Sequence, residues 1–395
     1  RMRMSEWKKE KLGDYVEVLS GFAFKSKDFT SEGVPVIKIK NISPPNVSLE
    51  DLSYVPMTIV TQNPRYILSR GDVLIAMTGS HINQIASVVG RVGRIRYDVL
   101  SVLNQRVGKI VNKDDKKSSL DFVYYYLSQY EVKVELAQKA GGAANQANIS
   151  PKDIKDLMFP CPPVETQHRI ATILSRYDSL IENYQKQIKL LEEAAQRLYK
   201  EWFVDLRFPG HENTKIVDGV PEGWTPSQLG QLAEFKRGKT ITKKDVIDGD
   251  IPVVAGGLEP AYYCNKSNTA ERVITISGSG ANAGFTRMYF EKVWASDCSF
   301  VDASVTPFLH FVYCYLKANK TTIDNMQKGA AQPHVYAKDI NSLSICIPIE
   351  SVLKSFEGTA SKYFDTISSF QSQIHLLTEA RDRLLPKLMS GEIEI

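Results

Sequence analysis

Cysteine and histidine are scarce in this sequence, and neither is clustered. Five cysteines and six histidines occur among 395 residues, and no two cysteines form a C-x-x-C pair. Scattered thiols in odd number are typical of reduced side chains in a cytosolic protein, whereas disulfide frameworks and zinc sites need paired spacings. The sequence therefore predicts no disulfide scaffold and no metal site. The thiols expected in the cores are Cys161, Cys264, Cys298, Cys314 and Cys346.

Long apolar runs and targeting signals are also missing. No uninterrupted apolar stretch reaches the length of about 18 residues that a membrane-spanning helix requires. The first residues do not have the basic, apolar and small-residue regions of a secretory signal. We therefore expect a cytoplasmic protein without membrane contact.

Catalytic and cofactor-binding motifs are absent as well. The chain has no G-x-x-x-x-G-K-[ST] phosphate loop, no dinucleotide-binding glycine pattern and no H-E-x-x-H motif. Its two Pro-Pro pairs, Pro44-Pro45 and Pro162-Pro163, lack the flanking residues with which amino-methyltransferases grip a flipped base. We expect no catalysis and no cofactor on this chain. A single-chain DNA methyltransferase or endonuclease with unrecognised motifs is the first alternative.

The overall charge is nearly balanced and excludes few classes of binding partner. The chain has 49 Lys and Arg against 45 Asp and Glu, a formal charge of +4. This balance permits a nucleic-acid partner without arguing for one, so local clusters must decide. The length and an apolar content of 43% suit two to three globular domains.

A regular apolar stripe runs from Thr166 to Phe203. Its members are separated by alternating steps of four and three residues, the seam spacing of a coiled coil. Residues 352–388 repeat the pattern 186 positions later, with polar identities such as Gln185 and Gln371. Heptad spacing does not explain polar identities, so the repeat indicates a duplication. The seam residues predicted for the two long helices are Ile170, Tyr177, Ile181, Tyr184, Ile188, Leu191 and Trp202, and Tyr363, Ile367, Phe370, Ile374 and Leu377.

The duplication extends to the segments that precede the helices. At an offset of 217, the matches are Trp7 with Trp224, Leu12 with Leu229, Gly13 with Gly230, Gly21 with Gly238 and Pro35-Val36 with Pro252-Val253. The sequence thus predicts two globular modules, residues 1–163 and 206–349, each followed by a long helix, residues 164–205 and 350–395.

The order of the segments predicts how the helices pair. Helices that pair within this chain must run antiparallel, which relates the two modules by an approximate two-fold axis. Proline residues precede both helices, at Pro163 and Pro348, and Pro386 is expected to end the second helix. At about 1.5 Å per residue the first helix is about 55 Å long, so it needs a partner along its whole length.

Each module is predicted to be α+β, because its strands and helices do not alternate as βαβ units. The predicted strands are residues 34–39, 72–77, 87–92, 251–254 and 272–276, and the predicted helices are residues 120–139 and 306–319. Tyrosines on the helical stretches are expected in the core. They are Tyr124, Tyr125, Tyr126, Tyr313 and Tyr315.

Basic clusters favour contact with nucleic-acid phosphates. The stretch 236–244 holds five positive charges and no acid, and the stretch 91–109 has one acid against five positive charges. Phosphate contacts position a protein without reading sequence, and a solvated charged surface is the alternative interpretation. The predicted phosphate contacts are Lys236, Arg237, Lys239, Arg91 and Arg94, and Lys38 and Lys40 are further DNA-binding candidates.

Polar turns after two predicted strands are candidates for base recognition. Asn and Gln pair with adenine edges, and serine and glycine allow close approach of the backbone. An ordinary turn between strands is the alternative. The candidate residues are Ser80, Asn83 and Gln84 in the first module and Ser279 and Asn282 in the second. Glycine-rich loops at 141–148 and 329–334 form a similar pair, or cap the preceding helices.

Three stretches resemble the specificity (S) subunits of Type I restriction-modification systems. Residues 163–167 (PVETQ) open the first helix, residues 198–205 (LYKEWFVD) close it and residues 383–393 (RLLPKLMSGEI) close the second helix in a similar way. With the duplication, the resemblance covers nearly the whole chain. One departure is Arg381, which stands where Ala195 lies in the first seam and predicts a bend or entry of water.

The resemblance implies a non-catalytic subunit whose two modules each read one half of a split double-stranded DNA sequence. It also implies that the two long helices, with the seam residues given above, act as a spacer and dock methyltransferase (M) subunits, two of them. It further implies that restriction (R) subunits can join. S-adenosylmethionine would belong to the M subunits, and ATP and Mg²⁺ to the R subunits. The second alternative is a coiled-coil scaffold with two repeated interaction modules, which predicts no salt-dependent DNA binding.

Overall fold

The computed structural model describes residues 7–79, 89–141, 147–327 and 333–395. The chain divides into two compact units: the first comprises Arg1–Ile181 and Leu376–Ile395, and the second comprises Glu182–His375. Each unit contains one globular module and a segment of each long helix. None of the helices in the described ranges is long and apolar enough to cross a membrane.

Two of the helices are much longer than the others. The α-helices of the described residues are α1 Met57–Gln62, α2 Leu120–Leu127, α3 Tyr130–Lys139, α4 Pro151–Lys155, α5 Val164–Tyr199, α6 Leu229–Leu232, α7 Leu309–Ala318, α8 Lys320–Asn325, α9 Ala337–Asn341 and α10 Glu350–Ser390. The long helices α5 and α10 begin next to the predicted proline boundaries, and α5 continues as a π-helical turn, Lys200–Val204.

The two long helices run antiparallel where they meet inside a unit. In the second unit, the ring of Tyr184 stacks on Phe370 with centroids 4.8 Å apart, and Tyr199 lies 6.3 Å from Phe356. Residue numbers rise on α5 as they fall on α10, which fixes the direction. None of the twelve predicted seam side chains is exposed to solvent.

Proline at position 386 does not end the second helix, contrary to the sequence-based expectation. The helix α10 continues through Pro386 to Ser390. Its last turn buries Leu388 and Met389 in the core of the first unit. Burying two such side chains contributes roughly 1.5–3 kcal/mol each, which offsets the cost of about 3 kcal/mol for a proline inside a helix.

The first unit contains a mixed set of sheets. Its strands are β1 Lys9–Lys11, β2 Val16–Ser20, β3 Val34–Ile37, β4 Ile42–Ser43, β5 Asn46–Val47, β6 Ser53–Val55, β7 Ile67–Leu68, β8 Val73–Ala76, β9 Thr78–Gly79, β10 Val92–Arg94, β11 Ser101–Leu103, β12 Val107–Asn112, β13 Ala147–Asn148 and β14 Met158–Pro160. The largest sheet has the order β2-β12-β8-β10-β5-β4, and a second has the order β6-β3-β11-β7. Strands β1 and β14 form a separate antiparallel ladder.

The second unit repeats this arrangement with fewer strands. Its strands are β15 Ile216–Val217, β16 Val220–Pro221, β17 Thr225–Gln228, β18 Lys236–Arg237, β19 Ile251–Val254, β20 Tyr262–Cys264, β21 Val273–Ser277, β22 Thr286–Tyr289, β23 Trp294–Ala295, β24 Cys298–Asp302 and β25 Ser344–Ile347. The sheet β18-β24-β21-β22 corresponds to β2-β12-β8-β10, and β20-β19-β23 corresponds to β6-β3-β11. The ladder β17-β25 corresponds to β1-β14, and the parallel pairs β11-β3 and β23-β19 also match. These correspondences confirm the predicted α+β fold with two duplicated modules.

Each unit has its own main core, in which a module helix packs against the long helices. The five predicted core tyrosines are all buried, on α2 in the first unit and on α7 in the second. Of the five thiols expected in the cores, those of Cys264, Cys298 and Cys314 are buried, while those of Cys161 and Cys346 are partly buried; all five cysteines are free. Burial raises the pKa of the Cys298 thiol to about 12, so it stays protonated at neutral pH.

Two further elements differ from the sequence-based expectation. The predicted helix 120–139 is divided into α2 and α3, because the backbone of Gln129 is extended and interrupts the helical conformation. Of the predicted strand 87–92, residues 87 and 88 lie outside the described residues, and the strand observed there, β10, begins at Val92.

Candidate nucleic-acid interface

The basic cluster of the second module lies on an edge strand and the loop that follows it. Lys236 and Arg237 form β18, which pairs with Phe300 and Ser299 of β24, and both basic side chains are exposed. Lys239 is also exposed, while its backbone carbonyl accepts a hydrogen bond of 2.7 Å from the indole N–H of Trp294. The backbone of this cluster is therefore held firmly and its side chains point to solvent.

The basic cluster of the first module occupies a different position in the shared topology. Arg91 and Arg94 lie at β10, which corresponds to β22, whereas β18 corresponds to β2. Arg94 is buried: its guanidinium is 2.7 Å from Asp121 and lies over the ring of Tyr124 at 4.4 Å. Because a phosphate contact needs an accessible cation, we leave Arg94 out of the interface proposed below.

Lys38 and Lys40 both have partners within the first module. The ammonium of Lys38 lies 4.2 Å from the ring centroid of Phe29 and donates to the hydroxyl of Ser53 at 2.8 Å. Partial burial lowers the pKa of Lys38. Lys40 forms an ion pair with Asp51, and this hydrogen bond holds the pKa of the Asp51 carboxyl below its usual range.

The predicted base-reading residues are only partly described. Ser80, Asn83 and Gln84 lie outside the described residues. In the second module, the hydroxyl of Ser279 donates to Asp297, and the side-chain amide of Asn282 donates to the carbonyl of Gly256 at 3.3 Å. Contact of either side chain with a base edge would have to share or replace these hydrogen bonds.

The loops that follow β2 and β18 are built in the same way. The loop of the first module is not among the candidates found from the sequence. We name residues 21–29 the β2 loop and residues 238–246 the β18 loop. The amide of Gly21 donates to Val107 at 3.2 Å, and the amide of Gly238 donates to Cys298 at 2.8 Å. Both loops then form a short 3₁₀ turn, Ser26–Asp28 and Lys243–Asp245. The two loops align at the constant offset of 217, so their correspondence can be found from the sequence.

A buried polar network joins the module to the long helices in the first unit. The carboxylate of Asp178 on α5 accepts hydrogen bonds from the hydroxyl of Tyr125 at 2.6 Å and from Arg381 on α10 at 2.8 Å. Burial first, and then the charge of Asp178, raise the pKa of Tyr125. Arg381 also contacts Asp382, so the residue that departs from the seam pattern has charged partners.

The described part of the chain offers no evident site for a metal ion. No group of three or more His, Cys, Asp and Glu side chains is arranged to hold one within the described ranges. The arrangement instead presents exposed cations on two modules of the same topology.

Comparison with known proteins gives a consistent result. The model of the family described as "Type I restriction modification DNA specificity domain" matches residues 4–193 and again residues 221–382. The Type I restriction enzyme MjaIX specificity subunit of Methanocaldococcus jannaschii is 26% identical over 99% of this chain and 94% of that protein. The putative type I restriction enzyme MjaX specificity subunit of the same organism is 24% identical over the same shares.

A solved structure has the same fold. The crystal structure of the Type I restriction-modification system S subunit from M. genitalium aligns with a TM-score of 0.60 and 18% identity, over 98% of this chain and 97% of that one. At this identity the likeness shows the fold alone.

Proposed function

Because the chain belongs to the family of Type I restriction modification DNA specificity domains, whose pattern it contains twice, we propose that each module reads one half of a bipartite double-stranded DNA target. The chain is a specificity subunit and has the DNA-recognition part of the task, not the catalytic part. The bases of the two half-sites follow from the side chains that each module presents.

One observation carries this proposal above all: the two modules share a topology but differ in their exposed side chains. The sheets correspond strand by strand, while Lys236 and Arg237 on β18 replace Leu19 and Ser20 on β2. A repeated scaffold with different surfaces suits two readers of different sequences. A scaffold for two identical partners has no need for such differences.

The phosphate contacts that we propose are Lys236, Arg237 and Lys239 in the second module and Arg91, Lys38 and Lys40 in the first. We propose base contacts near Ser279 and Asn282, and near Ser80, Asn83 and Gln84. The two kinds of contact have separate signatures. Loss of a phosphate contact weakens binding to all sequences, whereas loss of a base contact relaxes specificity at one position.

We further propose that the long helices dock two methyltransferase subunits in the cytoplasm, with a restriction subunit as a further partner. S-adenosylmethionine then belongs to the methyltransferase subunits, and ATP and Mg²⁺ to the restriction subunit. Support comes from two leucines at matched positions, Leu190 on α5 and Leu376 on α10, whose side chains are exposed to 63% and 56%. An exposed leucine is ordinary by itself, but its recurrence in both repeats suggests two equivalent docking points.

Replacing these leucines tests the docking. We expect Leu190→Gln and Leu376→Gln each to weaken the binding of one methyltransferase copy, because each removes apolar area from one docking point. The mass of the purified complex gives the number of copies bound. Leu180→Gln is the control, since Leu180 is also exposed on α5 but its match at the offset of 186 is Thr366. Unchanged stoichiometry and affinity in both variants would place the docking elsewhere.

A methyl-transfer assay tests the division of labour. We expect the purified chain to transfer no methyl groups to DNA, and the methyltransferase subunit to gain site-specific activity when the chain is added. Incorporation of labelled methyl groups, followed by sequencing of the methylated sites, measures both. Methyl transfer by a preparation of this chain free of other proteins would contradict the proposal.

A further inference from the structure

The β2 loop and the β18 loop are anchored in the same way at both ends. At the start, the amides of Phe22 and Lys239 donate to the carbonyls of Leu103 and Ala295, both at 2.9 Å. Further along, Asp28 accepts a hydrogen bond of 2.7 Å from the amide of Lys25. Asp245 accepts one of 2.5 Å from the hydroxyl of Thr242. The carboxylates at matched positions therefore close the same turn.

Matched apolar side chains fix each loop to its module. In the first module, Phe24 and Phe29 pack against the cluster that contains Val34 and Val36. In the second, Ile241 and Val246 pack against the cluster that contains Val253. A loop with anchored ends and anchored apolar residues holds its exposed side chains in a defined place, which lowers the entropy cost of contact with a ligand.

The anchored turns present lysine at the same position in both modules. Lys27 and Lys244 are separated by the offset of 217, precede the capping aspartates Asp28 and Asp245, and are exposed. Within the described ranges no ion pair involves either lysine. Around them, Lys25 adds charge in the first loop, and Lys239 and Lys243 in the second.

The surroundings connect these lysines to the candidates found from the sequence. The β18 loop directly follows Lys236 and Arg237. In the first module, Lys38 lies over the ring of Phe29, at the end of the β2 loop. Basic residues with no evident relation in the sequence therefore lie at the β2 loop in the first module and at the corresponding β18 loop in the second.

We propose that the β2 and β18 loops are equivalent DNA-backbone contacts, in which Lys27 and Lys244 each bind a phosphate of one half-site. This inference rests on the proposed function. The counterpart of the second module's basic cluster is then the β2 loop and not the stretch 91–109. The contacts position each module on the duplex in the same way, while the side chains that differ between modules read the bases.

Salt titrations of DNA binding test the proposal, with the full chain assembled with its methyltransferase subunit and a duplex that contains the target. We expect Lys27→Gln and Lys244→Gln each to reduce the slope of log K against log salt by about 0.9, and the double variant by twice that. Each single variant should lose as much affinity for a non-target duplex as for the target duplex, because phosphates carry no sequence information.

Matched controls are available in the repeat itself. Lys152 on α4 and Lys338 on α9 are also exposed lysines at corresponding positions of the two modules, and their Gln variants should keep the wild-type slope. Equal losses in these controls would show a general effect of charge and overturn the proposal. If the wild-type complex binds DNA but the slope for Lys27→Gln or Lys244→Gln is unchanged, the proposal is overturned as well. A wild-type complex with no salt-dependent binding would overturn the proposed function too.

Discussion

At the scale of single residues, the two copies differ at the junction between module and helices. The buried pair of Asp178 and Arg381 in the first unit corresponds, at the offset of 186, to Phe364 and Ala195 in the second. Both residues of the second pair are buried in the core of that unit. One repeat thus uses charge where the other uses packing. The hydrogen bonds to Asp178 and Asp382 raise the pKa of Arg381 despite its burial, which keeps the arginine charged.

Removal of one member of the buried pair is predicted to be costly. We expect Arg381→Ala to lower the free energy of unfolding by about 1–3 kcal/mol, because the buried carboxylate of Asp178 would lose a hydrogen bond of 2.8 Å and keep the more distant Arg96, at 3.9 Å, as its cation. The double variant Asp178→Phe, Arg381→Ala should recover most of this loss, since it recreates the apolar pair of the second unit. Chemical denaturation of the full chain measures both effects.

The exposed Arg383, which pairs with Glu379 on the surface of α10, provides the control for this experiment. Arg383→Ala should leave unfolding nearly unchanged, because exposed ion pairs contribute little. If Arg381→Ala were as mild as this control, the network would have no role in holding the module to the helices.

A repeated glycine gives a second prediction at this scale. A Cβ atom at Gly21 would lie 2.2 Å from the carbonyl oxygen of Asn104, and one at Gly238 would lie 2.3 Å from that of Ser296. Alanine at either position forces the backbone apart, and we expect a loss of about 1–3 kcal/mol in each unit. Gly141→Ala, which meets open space, is the control. Thermal unfolding that is unchanged by Gly21→Ala would contradict the close approach.

At the scale of elements, the long helices could be predicted from the sequence and several short elements could not. The seam spacing and the prolines before it gave α5 and α10 close to their observed starts. Local signals misled at Pro386, where burial of Leu388 and Met389 outweighs the proline. They also missed the division between α2 and α3, where the backbone of Gln129 is extended. Tertiary packing and a single change of backbone conformation are not visible in periodicity.

A glycine inside helix α10 gives a further prediction about stability. Gly358 lies exposed inside α10, and a Cβ atom there would meet open space. We expect Gly358→Ala to stabilise the chain by roughly 0.5–1 kcal/mol, because glycine loses more backbone entropy in a helix than alanine does. Chemical denaturation measures the change. A destabilised Gly358→Ala variant would show that a partner or a neighbouring backbone occupies that face of α10.

At the scale of the whole molecule, the duplication was the most informative signal in the sequence. Identities at constant offsets, such as Gly21 with Gly238, predicted two modules, and the sheets confirm them strand by strand. The contact residues could not be predicted as well, because charge clusters do not reveal burial. Arg94 belongs to such a cluster and is buried, whereas Lys27 lies outside the predicted clusters but is exposed and matches Lys244 at the offset of 217. The module boundaries at 163 and 205 stay a prediction, since each compact unit also includes parts of both long helices.

The central claim is that the two modules are independent readers on one chain. The most direct measurement replaces residues 206–349 with the second module of another Type I specificity subunit and sequences all DNA sites methylated by the resulting complex. The account predicts that one half of the bipartite target changes and the other half stays identical. A change in both halves, or in neither, would contradict it.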